Sequence, residues 1–502
     1  MFRTGKAGPI ALAILLCAIH FGSFDVSTQP IVTDVRYFLY YAWRVAEGAI
    51  PHLDFFENKP QLPTFAGALL YRIGTAFEID PLLSIRTGYL TLAAVGGLLM
   101  FAIFRRLGRA SSVAGLLGLL AYCSFGLLGA LPAVGNVPKL ALAVLASAMA
   151  LWVHDRRWLL AGLAGGLAFF DWQMGAVVWL AAAISAVRDG RPRQAALLSV
   201  TAGGVLGVAP LLAYYTATGA LGATYQQLIL STLARGSAAV QSQGVLERLG
   251  RIVAMLERAC PQHEWLFFTG LAGCFVLASW LLRERASDRG RLLLPLAVVH
   301  GVLVGFCLVD FQSYGDFFLL LHSVAFLLGL VWLAIFEAGS RWVSASFPEN
   351  RRAAVIFSAV LLLATLAVAR PGPLRPRLEI ETDVIEPGGV LADQREVAEA
   401  LTAHTAGQTL VLLGSSELLF LMRHENPLQN IYWNRAVRSA LAQPGDGSPA
   451  DTLLRLLESV EPDAYIVPER VRAGARLAGF SPVRLVSGNG LYGIDLLVRE
   501  DH

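Results

Sequence analysis

Eleven apolar runs fill most of the first 370 residues, near 1–24, 82–104, 111–130, 138–153, 158–170, 174–187, 195–216, 264–282, 292–309, 317–336 and 353–369. A membrane helix needs about 20 mostly apolar residues, and in lipid every backbone polar group must be satisfied within the protein. The pattern therefore confines the body of the chain to a bundle of membrane-crossing helices. Charged residues make up only 15% of the chain, against about 25% in soluble domains. That excludes a disordered chain and argues against a soluble globular enzyme. The first run has the basic front of a signal peptide (Arg3, Lys6), but no small-x-small cleavage site follows, so it reads as the first span. The runs 158–170 and 174–187 are short, and serve either as two steep spans or as one re-entrant hairpin.

Charge orients the bundle. With the N-terminus in the cytoplasm, the inside segments (1–6, 105–109, 154–157, 188–193, 283–291, 337–352) hold 17 Arg or Lys in 46 residues. The outside segments (25–81, 131–139, 171–173, 217–263, 310–316) hold 9 in 123 residues, so the positive-inside rule favours this orientation. An odd number of spans then places the C-terminus outside. Residues 371–502 carry 12 Arg against 18 Asp or Glu, whereas the first 370 residues carry an excess of 9 positive charges. Two parts are expected: a membrane body over 1–370 and a soluble acidic domain over 371–502, joined by the Pro-rich stretch 370–376. Strand patterns at 409–413, 464–467, 483–486 and 492–498, with helical patterns at 451–460 and 471–478, predict a small α/β domain.

The five cysteines (Cys17, Cys123, Cys260, Cys274, Cys307) have neither disulfide-framework nor metal-ligand spacing. There is no phosphate-loop motif, no G-x-S-x-G elbow and no zinc-type Cys/His cluster. The most informative stretch is the first outside loop, 25–81. Its segment 33–48 predicts an aromatic, amphipathic helix capped by Thr33 or Asp34 and stopped at Gly48, lying along the membrane surface. A carboxylate at that helix start is favoured by the helix dipole. Asp54, Glu57 and Lys59 follow; on residue chemistry alone they read equally as a solvated cluster, and Asp34 as a simple cap. Asp171 and Asp316 end apolar runs on the outer side, where a carboxylate costs far less than at the bilayer centre. Lys139, just inside the fourth span, either snorkels to the surface or faces a lipid phosphate. The basic helical stretch 245–259 (Arg248, Arg251, Arg258) reads as a surface helix near anionic headgroups.

This loop resembles the first external loop of GT-C class membrane glycosyltransferases, and within them the bacterial relatives of protein mannosyltransferases and of the lipid A aminoarabinose transferase. The matching positions are Asp34, Tyr37, Ala42, Gly48, Pro51 and Glu57-Asn58-Lys59-Pro60, then Arg86, Gly135-Asn136-Val137-Pro138 and the Gly-rich 161–168. Three positions depart from the relatives: Val35 stands where the mannosyltransferases have a second acid, Asp171-Trp172 where a Lys is common, and Asp316-Phe317 where His-Tyr is common. The resemblance implies an α-helical polytopic membrane protein of GT-C type with about eleven spans and a small C-terminal α/β extracytoplasmic domain. It also implies an inverting glycosyltransferase in a cell (inner) membrane. The donor would be a polyprenyl-phosphate sugar, a membrane lipid, and the acceptor an extracytoplasmic glycan, lipid or protein. The implied base is Asp34. The implied cations for the leaving phosphate are Lys59, Arg86 and Lys139, with Arg36 behind them. Asp54, Glu57, Asp171 and Asp316 would bind sugar hydroxyls, and Tyr37 and Asn136 complete the substrate-binding set. The loop 217–263 corresponds to one that is mobile over the active site in the relatives. The scheme requires no cofactor or metal, and no nucleic-acid partner is expected. The C-terminal domain, with nothing catalytic visible in it, would hold the acceptor or cap the outer face. A lipid-sugar flippase, or an inactive GT-C body in an assembly, would use the same architecture without bond making.

Overall fold

The computed structural model describes residues 7–500 except 33, 58, 60, 136, 138, 191, 231–243, 260–263, 285–286, 310, 312–313, 348–350, 370–388, 430–447, 468–476 and 491. All eleven apolar runs carry helix. The body opens with α1 (Ala7–Gly22), α2 (Val35–Ala46), α3 (Leu62–Ala76), α4 (Pro81–Leu107) and α5 (Ser112–Cys123). It continues with α6 (Leu127–Val134), α7 (Leu140–His154), α8 (Trp158–Asp171), α9 (Ala176–Asp189) and α10 (Arg193–Ala217). After a π-helical turn Tyr225–Leu230 come Val245–Ala259, Glu264–Arg283, Asp288–Val309, Tyr314–Ser346 and Arg351–Ala369.

By length and composition five of these helices can cross a membrane, or six if the pair α5 and α6, bent by 58°, makes one span. Others, such as α1, α7 and α8, are apolar but shorter. The run 111–130 is thus a broken helix. The short runs 158–170 and 174–187 are two separate helices, α8 and α9, joined by a tight turn at Gln173–Gly175.

Local rules account for the boundaries. Asp80 caps α4 by accepting the Leu82 N–H, Pro81 occupies the first turn, and Arg105 and Arg106 occupy the last turn, beside the negative end of the dipole. The Gly-rich stretch of α8 lets α10 approach to backbone contact. A Cβ on Gly162 would stand 2.0 Å from the Val200 carbonyl oxygen, and one on Gly203 2.0 Å from that of Leu159. Small residues at such crossings supply the close packing that replaces a hydrophobic drive in lipid.

The segments rich in Arg gather at one end of the bundle. Arg289 donates to the Leu107 carbonyl from Nε (3.0 Å) and Nη2 (2.7 Å), and pairs with Glu284 and Glu337. Arg106 meets Asp155 at 2.8 Å nearby. The other end carries the loop 25–81, the starts of α7 and Tyr314–Ser346, and the C-terminal domain.

That domain has a four-stranded sheet in the order β1-β2-β4-β3, from β1 (Leu410–Leu412), β2 (Ala464–Ile466), β3 (Phe480–Val486) and β4 (Gly493–Arg499). β1 and β2 are parallel, and the rest are antiparallel. The four strands fall within or close to the stretches expected from sequence, and β1 and β2 are buried along their whole length. Helix Pro449–Val460 matches the expected 451–460, with Ser448 accepting the Asp451 N–H as its cap. Helices Leu391–His404 and Ser416–Met422 were not foreseen. The expected linker and the helix at 471–478 lie outside the described residues, apart from the last two positions of that helix.

The two parts are joined by specific bonds. Gln394, fully buried, accepts from the Ile31 N–H (2.7 Å) and donates to the Ile31 carbonyl (3.0 Å), as a neighbouring strand would. Leu391 N–H donates to the Thr28 carbonyl, and Phe56 N–H to the Gln429 carbonyl. Arg44 meets Glu425 at 2.5 Å, and Arg395 pairs with Asp80. The acidic balance of the tail thus partly answers arginines of the first loop.

Candidate active site

Helix α2 does not lie open along the membrane surface. Ten of its twelve residues are buried, between α3 on one side and helix Ser416–Met422 of the C-terminal domain on the other. Its aromatic side chains are the packing surface: Tyr41 stacks on Phe55 at 4.7 Å between ring centres, and Tyr40 accepts the Asn426 N–H at 3.2 Å. Asp34 sits at the helix start but makes no capping hydrogen bond. Its carboxylate pairs instead with Lys59, and its side chain remains 36% exposed. This is the open edge of the cluster. Burial alone would raise the Asp34 pKa, but Lys59, Arg36 and Lys139 together hold it below the usual carboxylate range.

Lys139 comes to this cluster from the other side. It does not snorkel: its side chain is 5% exposed, pairs with Asp316, and lies 3.9 Å over the Trp172 ring. Three features hold it there. Lys139 has a positive φ of 74° at the start of α7. Asp171 accepts the Leu142 N–H at 2.7 Å, so this buried carboxylate caps α7. Gly135, at φ +147°, lies against α2, where a Cβ would meet Val35 Cγ1 at 2.8 Å. Val35, Asp171 and Asp316 are the three departures from the related pattern. All three stand around the turn that carries Lys139: Val35 beside Gly135, Asp171 on the Leu142 N–H and Asp316 on Lys139 itself.

The geometry gives several expected residues other work. Arg86 is fully buried, and its guanidinium donates to four backbone carbonyls: Val134 (2.7 Å), Val26 (3.0 Å), Gln29 (2.7 Å) and Pro30 (3.4 Å). It ties the chain before Asp34 and the end of α6 to α4, and is not poised as a leaving-group cation. Asp54 is exposed and closes a turn by accepting the Ile50 N–H at 2.6 Å. Tyr37 is buried, with the Arg36 guanidinium 5.0 Å from its ring centre. Asn136 lies outside the described residues. The mobile-loop expectation for 217–263 falls largely on residues outside the description. Within the described part, Gln227 reaches the first loop, meeting His52 Nδ1 (2.9 Å) and accepting the Glu57 N–H (3.0 Å). Arg248, expected on the surface of helix Val245–Ala259, is buried.

Glu57 is the electrostatic outlier. It is 1% exposed, its Oε1 accepts from Thr64 Oγ1 at 2.9 Å, and burial pushes its pKa up to about 8. Thr64, Gln61 and Lys59 offset part of that rise. Burial outweighs these neighbours, which favours the neutral form of Glu57 near pH 7. The linkage has a definite sign. An unfolded Glu ionises near 4.5 and this one near 8, so between those values the folded state holds the extra proton. Stability falls by about 1.4 kcal/mol per pH unit across that window and levels off above it. Glu57→Gln keeps the shape and the neutral state. Thermal unfolding of purified protein between pH 5 and 8 is expected to show a smaller decline in the variant, which becomes the more stable form at pH 8. Parallel curves would mean that Glu57 is ionised in the folded state.

Sequence reasoning missed Glu417. It is 2% exposed, its Oε1 accepts from Tyr492 Oη at 3.0 Å, and its Oε2 lies 3.9 Å from Arg36 Nη1. The signal was the Gly414-Ser415-Ser416 turn after β1, which delivers this residue to the body, but nothing in sequence said where that turn would dock.

Against known proteins, no family model matches the chain and no curated protein matches it in sequence. Solved structures do. ArnT from Cupriavidus metallidurans bound to undecaprenyl phosphate superposes with a TM-score of 0.62, at 13% identity over 98% of both chains. Its apo state gives 0.60, at 14% identity over 98% of this chain and 97% of that one. The apo oligosaccharyltransferase of Archaeoglobus fulgidus gives 0.52, at 12% identity over 93% of this chain and 70% of that one.

This chain has the GT-C fold.

The match to ArnT runs through the membrane body and the C-terminal domain alike, since it covers nearly the whole of both chains. The helical body, the loop 25–81 and the docked C-terminal domain thus belong to one architecture. At these identities the likeness establishes the fold.

Proposed function

We propose that this chain is an inverting glycosyltransferase that moves a sugar from a polyprenyl-phosphate donor to an acceptor outside the cytoplasm. The observation that carries this reading is the Asp34–Lys59 pair at the open edge of α2, with Lys139 close enough to act on the Asp34 charge. A carboxylate for the acceptor proton and two lysines for a phosphate stand together at one end of a GT-C bundle. ArnT, the structure that matches over nearly the whole chain, was solved with undecaprenyl phosphate bound, which supports this donor class.

In the reaction, an acceptor oxygen attacks the anomeric carbon on the face opposite the phosphate. The bond from that carbon to the phosphate oxygen breaks, and its electron pair leaves with the phosphate. The acceptor proton passes to Asp34. The leaving lipid phosphate changes from a diester to a monoester and gains charge, which Lys59 and Lys139 meet. Lys59 couples the two halves. While it pairs with Asp34 it keeps the carboxylate ionised but weakly basic. When it turns toward the donor phosphate, Asp34 becomes the stronger base. Asp34, Lys59, Lys139 and Arg36 form the working cluster; Asp171, Asp316 and Arg86 position it. The Arg distribution orients the site outward, with the N-terminus in the cytoplasm.

The test is transfer by the purified full-length chain in sealed vesicles, supplied with radiolabelled polyprenyl-phosphate sugars and cell-envelope acceptor extract. Label is expected to move from donor to acceptor only where the end carrying the C-terminal domain faces the donor and acceptor. Lipid movement without sugar transfer would instead mark a transporter. Neither movement nor transfer would mark an inactive subunit.

A further inference from the structure

Helices α1 and α4 meet near their middles and part toward the Arg-rich end of the bundle. Cys17 Sγ lies 3.8 Å from the Ala94 carbonyl oxygen, and a Cβ on Gly97 would stand 3.5 Å from the same sulfur. Nearer the Arg-rich end, a groove of about 440 Å³ remains between the two helices. Ile10 and Ile14 of α1 line one side of it, and Leu98, Ala102, Arg105 and Arg106 of α4 line the other. Ile10 and Ile14 are 41% and 51% exposed, so the groove opens sideways on the apolar face of α1.

Arg105 and Arg106 close the groove at its basic end. Arg106 is answered by Asp155 at 2.8 Å. Arg105 is half-buried and, among the described residues, has neither an ion pair nor a hydrogen bond from its side chain. A cation without a protein partner at the head of an apolar slot suits a molecule that is anionic at one end and hydrocarbon along the rest. From Arg105 to Leu98 the helix rises about 10 Å, against roughly 15 Å of hydrocarbon in one leaflet. The slot thus matches the upper part of an acyl chain whose headgroup stands at the membrane surface. A free phosphate would leave the slot empty, and a neutral lipid would leave Arg105 unanswered.

We propose that the groove between α1 and α4 binds one anionic glycerophospholipid, with its phosphate on Arg105 and an acyl chain held between Ile10 and Ile14 on one side and Leu98 and Ala102 on the other. The cytoplasmic leaflet as its source rests on the orientation inferred from the Arg distribution; the binding itself rests neither on that nor on the glycosyltransferase reading. The groove lies at the opposite end of the bundle from Asp34. Bound there, the lipid braces α1 against α4 where the two helices part. The chain that leaves α1 toward Asp34 is tied to α4 by Arg86, through the carbonyls of Val26, Gln29 and Pro30, so lipid and Arg86 hold the helix pair at its two ends.

Native mass spectrometry of the full-length chain in detergent tests this, with dioleoyl phosphatidylglycerol as the anionic probe and dioleoyl phosphatidylcholine as the zwitterionic one. Wild type is expected to bind a first phosphatidylglycerol about tenfold or more tightly than a phosphatidylcholine, the weight of one charge-assisted hydrogen bond. Arg105→Gln removes the charge from a side chain that holds no partner among the described residues, so the fold should stand. Its phosphatidylglycerol affinity should fall by the same factor. Ala102→Phe fills the slot without altering any charge and should weaken binding to a similar degree. Arg109→Gln removes a charge from the exposed turn after α4, outside the groove, and should bind within about twofold of wild type. Phosphatidylglycerol should raise the Tm of wild type and of Arg109→Gln, but not of the other two variants. Equal binding of the two lipids by wild type, or equal phosphatidylglycerol binding by wild type and Arg105→Gln, overturns the proposal. A loss in Arg109→Gln as large as that in Arg105→Gln also overturns it, because the attraction would then be diffuse. Unaltered affinity in Ala102→Phe does so as well, because no chain would then enter the slot, and this variant decides the matter if Arg105→Gln fails to fold.

Discussion

Asp34→Asn is expected to lower turnover by about 100-fold or more, the usual weight of general-base catalysis, in a chain that still folds. Asn cannot take a proton at neutral pH. The structural cost is small for two reasons. The Asp34 carboxylate makes no capping hydrogen bond, so no cap is lost. Its pair with Lys59 is partly open to solvent, and pairs of that kind are worth about 0–1 kcal/mol. The same substitution frees Lys59 from its carboxylate. Undecaprenyl phosphate should therefore bind the variant at least as tightly as wild type, and up to about fivefold more tightly if the whole pair energy is released. The wild-type rate should hold as pH falls to 5 and drop only at more acid values, because the flanking cations keep Asp34 below the ordinary carboxylate range. Single-turnover transfer and lipid-phosphate titration check both halves. Near-normal turnover in Asp34→Asn removes it as the base.

The second large effect concerns Lys139. Lys139→Met leaves the Asp316 carboxylate buried without its lysine. Removing one partner of a buried pair costs about 3–5 kcal/mol, so the single variant should unfold at clearly lower temperature or fail to accumulate. The double variant Lys139→Met with Asp316→Leu removes both charges, and well-packed apolar replacements of buried pairs are often neutral or better. It should recover most of the lost stability. Stability and catalysis then separate. If Lys139 meets the donor phosphate, the stable double variant should turn over about 10- to 100-fold more slowly, the loss of one charge-assisted hydrogen bond. A double variant that is both stable and fully active would reduce Lys139 and Asp316 to a structural pair. Recovery of activity without recovery of stability would contradict the buried-pair account.

Much of this molecule was legible one residue at a time. Apolar length alone placed helices on all eleven runs, because a lipid-facing backbone has no solution but to bond to itself. Short apolar runs bounded by turn residues marked the strands of the C-terminal domain, and β1 and β2 are buried along their whole length. The first loop announced itself through Asp34, Glu57 and Lys59, whose types and spacing carry chemistry wherever they fold. Tertiary structure decided where each charged residue came to lie and what it touches. Arg86 and Lys139 look alike in sequence, each a cation near the outer end of a span. Arg86 ended among four backbone carbonyls, and Lys139 beside the cluster at Asp34. Asp171 and Asp316 became a cap and a counter-ion, roles set by segments far away in the chain. Burial, which sequence does not display, outweighs the neighbours of Glu57 and pushes its pKa up to about 8. Helix α2 showed an amphipathic pattern that fits a membrane surface equally well, and only the docking of residues 391–429 turned it into an interface. Glu417 was silent for the same reason. Its partner Arg36 lies 381 positions earlier in the chain, and a pairing across that separation is set by how two folded parts meet, which no local pattern records.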